Sequence, residues 1–185
     1  MDLEDCLVKI QRPQFSEYHN YIFFILTFPF YNNQTREIVS SEVDFFIGSK
    51  YLITINDGLN DTVNDFFKEI KNNDYNKKQH MSSHPVNLLY AVLQRLQSHT
   101  FPMLDHVSED IESIEKRIFK GEEKRVVKEI LHIKRNIVNL RKIMQAHKNI
   151  IKKLMNTHTK FFMPNQINIY FTKLFEVSIF FQNLS

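Results

Sequence analysis

Histidine, cysteine and clustered carboxylates carry most catalysis and metal binding, and in this chain they are scattered. Of eight His residues, only His80 and His84 stand four apart, the spacing that sets two imidazoles on one helical face for a metal. They fall in a polar stretch that reads as a loop, no HExxH pattern surrounds them, and zinc there would need carboxylates from elsewhere. Ser82 and Ser83 neighbour His84, but no nucleophile elbow accompanies them, and proximity in sequence does not build a triad. Cys6 is the single cysteine, which excludes an internal disulfide or thiolate zinc cluster and points to a reducing compartment. Three glycines leave little room for a phosphate-cradling loop or a Rossmann turn. These residues do not describe an enzyme.

The remaining chemistry is charge. Lys and Arg number 24 against 21 Asp and Glu, a balance of +3, so any electrostatic signal is local. Asp105, Glu109, Asp110, Glu112 and Glu115 follow one another with no Lys or Arg between them. From Lys124 to Lys153, ten Lys and Arg stand against Glu129 alone, ten minus one giving +9. A basic helix can bind phosphate backbones or anionic lipid. Nucleic-acid recognition would add a groove-reading motif or stacking aromatics, and neither interleaves these bases. The expectation is no nucleic-acid partner, and two helices of opposite charge that complement each other and meet water.

The elements that position these groups follow from periodicity. At 43% hydrophobic and 24% charged, 185 residues suit one folded domain, and seventeen Phe with no Trp read as a Phe-rich core. Tyr18 to Phe30 is dense in aromatic and β-branched residues, Tyr31 to Gln34 supply turn chemistry, and Arg36 to Val39 resumes an extended pattern, predicting a hairpin. Val43 to Ile47 and Tyr51 to Ile55, with Gly48, Ser49 and Lys50 between, predict a second. Val63, Phe66, Phe67 and Ile70 share a helical stripe that Asn60 or Asp61 can cap. Asn72 to Ser83 is polar and aperiodic and reads as a loop, with a helix start at Ser83 and Pro85.

Leu88, Leu89, Val92, Leu96, Met103, Leu104, Val107, Ile111, Ile114 and Ile118 then keep an interrupted three-and-four spacing with Pro102 as a kink. A helix from Pro85 to Ile118 would be roughly 50 Å long, so an elongated molecule is expected. Gly121 turns the chain into a second long helix, from Val126 to Leu154, and a third amphipathic segment runs from Asn165 to Ser185. No helix terminator stands at that end, which reads as a cut through a longer chain. The most apolar window, Tyr21 to Phe30, contains Pro29 and is half the length of a membrane helix of about 20 residues. Asp2, Glu4 and Asp5 stand where a signal peptide carries positive charge.

Leu3, Glu4, Asp5, Gln11, Arg12, Pro13, Tyr18, Asn20 and Tyr21, followed by a strand, resemble the cytoplasmic domain of CorA-type divalent-cation transporters. Ser41 to Ile47 with Gly48 and Lys50 resembles that family's sheet hairpin, and Pro85, Leu88, Leu89 and Tyr90 resemble the start of its first long helix. Leu131 to Lys142, with Lys134, Arg135, Asn136, Leu140 and Arg141, looks like its second, and Tyr170, Phe171, Leu174, Phe175 and Glu176 like the opening of its stalk helix. The resemblance covers essentially the whole chain. It implies an α/β fold of αβα type, a mixed or antiparallel sheet with covering helices, followed by a long antiparallel helical hairpin and the start of a stalk helix. Residues 1–83 would form a partial N-terminal sheet region, 84–163 the hairpin and 164–185 the beginning of the stalk.

The resemblance further implies a homopentamer, two membrane helices per subunit and a Gly-Met-Asn signature at the pore mouth. Gly occurs here only at 48, 58 and 121, and none opens that signature. The expectation is a cytoplasmic regulatory part, shortened at both ends, of a protein seated in the inner (plasma) membrane through helices absent from this chain. In the family, carboxylates at subunit boundaries bind Mg²⁺ and hold the pore closed, because clustered acids repel until a hard cation neutralises them. The resemblance places Glu4 and Asp5 at one side of that sensor and Glu176 in the stalk opening. Lys173 stands where the family has its first stalk acid, and Val177 where a His is expected. The Lys173 ammonium can replace the bridging cation by pairing with Asp5 of a neighbouring copy. The implied function is sensing Mg²⁺ for a channel that carries Mg²⁺, Co²⁺ or Ni²⁺. The alternatives are a zinc-transporting relative and a soluble helical module that binds a partner through Phe171, Phe175 and Phe180.

Overall fold

Ile22, Phe24, Leu26 and Phe28 alternate with Phe23 and Ile25, so the strand they form carries large apolar side chains on both faces. In the computed structural model, which describes residues 12–81, 84–157, 159, 161 and 164–184, this strand is β2 (Tyr21–Asn32). Beside it lie β1 (Gln14–Glu17) and β3 (Glu37–Gly48), with β4 (Leu52–Asn56) beyond β3. The four strands are antiparallel in sequence order. The run expected from Tyr18 breaks before β2, where the Tyr18 N–H donates to the Tyr21 carbonyl. The runs Arg36–Val39 and Val43–Ile47 are one strand, because Ser40, Ser41 and Glu42 between them pair with Pro29, Phe28 and Thr27.

Six helices follow among the described residues: α1 (Thr62–Asn72), α2 (Asp74–Met81), α3 (Pro85–Ser98), α4 (Phe101–Ile118), α5 (Glu123–Met155) and α6 (Pro164–Gln182). In α1, Val63, Phe66 and Ile70 are buried as their spacing predicts, while Phe67 faces solvent, and the Asn60 side-chain oxygen accepts the Thr62 N–H. The expected loop after Asn72 is largely helical. It buries no residue, so it has no apolar period, and it starts because the Asn73 side-chain oxygen accepts the Tyr75 and Asn76 N–H groups. Ser83 lies outside the described residues; the cap of α3 is His84, whose Nδ1 accepts the Val86 N–H, with Pro85 in the first turn. The single helix expected from Pro85 to Ile118 is two, cut at His99 and Thr100, because Pro102 has no N–H for the Ser98 carbonyl. The element of roughly 50 Å is α5, with 33 residues. Gly121, at φ +80°, makes the turn before it.

Two apolar clusters hold these layers. The first joins Ile22, Phe24, Leu26 and Phe28 of β2 to Phe45 of β3, α1, α3, the end of α5 and α6; Phe24 and Phe45 stack with ring centroids 4.7 Å apart. The second joins Ile38 to α4, α5 and Phe181. Phe23, Phe24, Phe28, Phe45, Phe171 and Phe181 are fully buried, each contributing about 1.5–3 kcal/mol of transfer free energy.

The sheet leaves two edges open at one end. β4 pairs with β3 only from Val43 to Ile47, and β1 pairs with β2 only from Ile22 to Ile25. α5 serves both. Asn136 accepts the Ile38 N–H at 2.9 Å and donates to the Arg36 carbonyl at 2.8 Å. Asn139 donates to the Ile38 carbonyl, and His132 Nε2 donates to the Arg36 carbonyl. Arg36 itself sits at φ +57°, which costs a non-glycine residue about 1–2 kcal/mol, and its guanidinium pairs with Asp110 of α4. On the other edge, His147 Nε2 donates to the Thr27 carbonyl at 2.7 Å, its ring set edge-on against Phe28. His147 is fully buried and its Nδ1 has no partner, so burial pushes its pKa down to about 4.

Asn136→Ala leaves the Ile38 N–H buried without a partner, whereas the Arg36 carbonyl keeps His132; the expected loss is about 2 kcal/mol in urea denaturation. His147 binds a proton near pH 6.5 when unfolded but only near pH 4 when folded. Its contribution is therefore complete above pH 6.5 and is lost as pH falls towards 4, up to about 3 kcal/mol. His147→Gln keeps a donor for Thr27 and cannot titrate, so its denaturation midpoints should flatten across that window; midpoints that track wild type would refute the assignment.

Candidate functional site

The stalk-like helix α6 is where the sequence places the one candidate ligand within view. Phe171, Leu174, Ser178 and Phe181 recur at three- and four-residue spacing and are buried, which turns the opposite face outward. A polar lock sets the rotation. Gln97 of α3, itself buried, donates from Nε2 to Ser178 Oγ at 3.1 Å and to the Leu174 carbonyl at 3.3 Å, and Ser178 Oγ donates to the same carbonyl. At the far end, Arg141 donates to the Gln182 carbonyl and Lys148 to the Gln182 side-chain oxygen. Tyr90 of α3 meets Tyr170 with ring centroids 4.9 Å apart. Burial first, then Tyr170, push the Tyr90 hydroxyl above its ordinary pKa.

This lock presents Thr172, Lys173, Glu176 and Phe180 to solvent. Glu176 lies three residues, about one helical turn, beyond Lys173 on this exposed face. Glu4 and Asp5 lie outside the described residues. Among the described residues, no three His, Cys, Asp or Glu side chains gather to hold a metal ion. His80 and His84 do line one pocket, with Lys50 and Tyr51. Because His84 Nδ1 accepts the Val86 N–H, the neutral ring carries its proton on Nε2 and presents no lone pair to a metal there. The apolar stripe of the interaction-module alternative does not form: Phe171 is in the core, Phe175 is half-buried and only Phe180 is exposed.

The positioning residues Gln97, Asn136, His147 and Ser178 were missed by reading for ligands and catalysts. Each left a signal, a polar residue inside an apolar stripe: Asn136 between Ile133 and Leu140, and Ser178 between Leu174 and Phe181. Such residues bond to backbone when buried.

Comparison with known proteins agrees with this arrangement. The profile of the family described as CorA-like Mg²⁺ transporter protein matches residues 1–177. The cobalt/magnesium transport protein CorA of Thermotoga maritima is 25% identical over 152 residues, 82% of this chain and 42% of that protein. The CorA magnesium transporter of Methanocaldococcus jannaschii superposes with a TM-score of 0.69 at 16% identity, over 92% of this chain and 54% of that one. The ZntB cytoplasmic domain of Vibrio parahaemolyticus gives 0.67 at 13% identity, over 97% of this chain and 71% of that one. The chain thus spans about half the length of the CorA proteins it matches, and no described helix is long and apolar enough to cross a membrane. With the αβα arrangement, the locked stalk-like helix and a profile match over nearly its whole length, the chain belongs to the CorA-like Mg²⁺ transporter family.

Proposed function

We propose that this chain is the cytoplasmic, cation-sensing domain of a divalent-cation transporter, working in a homopentamer held in the inner (plasma) membrane by helices outside this chain. The observation that carries the reading is the rotation of α6. With Leu174 and Ser178 pinned by Gln97, Glu176 is held outward on a rigid face, where a neighbouring copy can meet it. Glu4 and Asp5 of that neighbour would complete an oxygen site for Mg²⁺ with Glu176. The cation supplies neutralisation of acids that otherwise repel, and its loss frees the subunits to shift against one another, a change of population within the pentamer. Lys173, exposed one turn before Glu176, opposes that cation by offering its own charge to the same acids. An ammonium–carboxylate pair of this kind would make the closed state less dependent on Mg²⁺.

The transported ion in this reading is Mg²⁺, with Co²⁺ and Ni²⁺ as its nearest rivals. Zinc transport is the second reading, resting on the fold likeness to the ZntB cytoplasmic domain. Residues 1–83, 84–163 and 164–185 serve as sheet region, helical hairpin and stalk.

Lys173→Asp in the full-length protein restores an acid at the sensor. Transport should then shut off at a lower Mg²⁺ concentration, and adding Asp5→Asn should cancel the gain. A Mg²⁺ response unchanged by Lys173→Asp would overturn the sensing role. A shift with Zn²⁺ but none with Mg²⁺ would favour the zinc reading.

A further inference from the structure

His80 and His84 stand out in the sequence and take no part in the proposed sensor. The cavity they line owes its other polar groups to a tight turn. The Gly48 N–H donates to the Tyr51 carbonyl at 3.1 Å, closing the β3–β4 hairpin over Ser49 and Lys50. A Cβ on Gly48 would lie 2.5 Å from the Tyr51 ring, so glycine at this position is what lets the ring lie against the backbone. The turn thereby carries Lys50 and Tyr51 to a cavity of about 420 Å³, which His80 of α2 and His84, the cap of α3, also line. That volume is in the range that holds a small organic molecule.

The polar side chains around it are donors. Lys50 offers an ammonium and Tyr51 a hydroxyl. His84 Nδ1 already accepts the Val86 N–H, so the neutral imidazole has its Nε2–H left to give. Among the described lining residues there is no Asp or Glu, and an anion is the ligand such a set is short of. Leu52 and Leu88 line the same cavity and pack on the first apolar cluster, which gives it apolar walls. One ammonium among neutral donors matches a single carboxylate, whereas a phosphate monoester carries close to two charges at neutral pH and would leave one unmatched.

We propose that this cavity binds a monocarboxylate with an apolar body, its carboxylate held by Lys50, Tyr51 and His84 and its body set against Leu52 and Leu88. A divalent cation does not suit it, because Lys50 repels the ion and His84 has committed its lone pair to the backbone. The site stands apart from the cation-sensing reading and needs no second copy. Its consequence falls on α2, which buries no residue: a ligand against His80 ties that helix to the β3–β4 turn.

The test is calorimetric titration of the 185-residue chain with sodium octanoate below its micelle concentration, and with 1-octanol and inorganic phosphate at matched ionic strength. Octanoate should saturate one site, the other two should bind about tenfold more weakly or worse, and the α2 amides should exchange more slowly with octanoate bound. Lys50→Gln removes the charge at an exposed turn position. His84→Asp keeps an oxygen for the Val86 N–H and sets a carboxylate in the cavity. Each should weaken octanoate about tenfold or more, with circular dichroism showing that the variant is folded. Tyr51→Phe keeps the ring on Gly48 and should weaken it severalfold. N-acetylleucine separates two sources of the same chemistry: tighter binding than octanoate names a peptide C-terminus, weaker binding a free acid, and both keep the site. No octanoate binding in wild type, octanol or phosphate held as tightly as octanoate, or folded variants that bind like wild type would each overturn the proposal.

Discussion

The arrangement of this domain depends on an unpaired sheet edge. A strand edge with free N–H and C=O groups must find partners when it is covered, and the first half of β3 lies beyond the reach of β4. α5 supplies the partners from its side chains: Asn136 bonds both ways to the backbone at Arg36 and Ile38, and Asn139 and His132 add to it. The same helix takes the Thr27 carbonyl on the other edge through His147. Two edges joined by one helix fix where α5 lies across the sheet. The positions of α4 and α6 follow, because both pack on α5 through the second apolar cluster and its neighbours. The left-handed backbone of Arg36 is tolerable because its carbonyl and its guanidinium are both held.

This frame gives the stalk-like helix its functional meaning. Gln97 and Ser178 set the rotation of α6 from inside, so its outward residues have a defined direction. In the proposed reading that direction matters, since an acid such as Glu176 would act between copies only if every copy presented it alike.

Much of this was legible in the sequence, and the failures have physical causes. Val63, Phe66 and Ile70 announce α1 because an apolar stripe is what buries a helix. Ser40, Ser41 and Glu42 hid the continuity of β3, since a strand at the sheet's open end carries polar residues without ending. α2 is held by the Asn73 cap rather than by a buried face, so no period reveals it. Pro102 was read as a bend and is a break: with no N–H for the Ser98 carbonyl, one helix ends at Ser98 and the next starts at Phe101. The candidate ligands were legible only through resemblance: Glu176 has no local motif, and its outward position comes from Gln97, distant in sequence.

The claim that α5 completes the open edge of β3 can be measured at one atom. Amide hydrogen exchange should find the Ile38 N–H protected to nearly the level of the central β2 amides, because Asn136 holds it in the folded state. Exchange at Ile38 as fast as at the exposed Gln34 of the hairpin turn would contradict the account, and the helix layer would then need another reason to lie where it does.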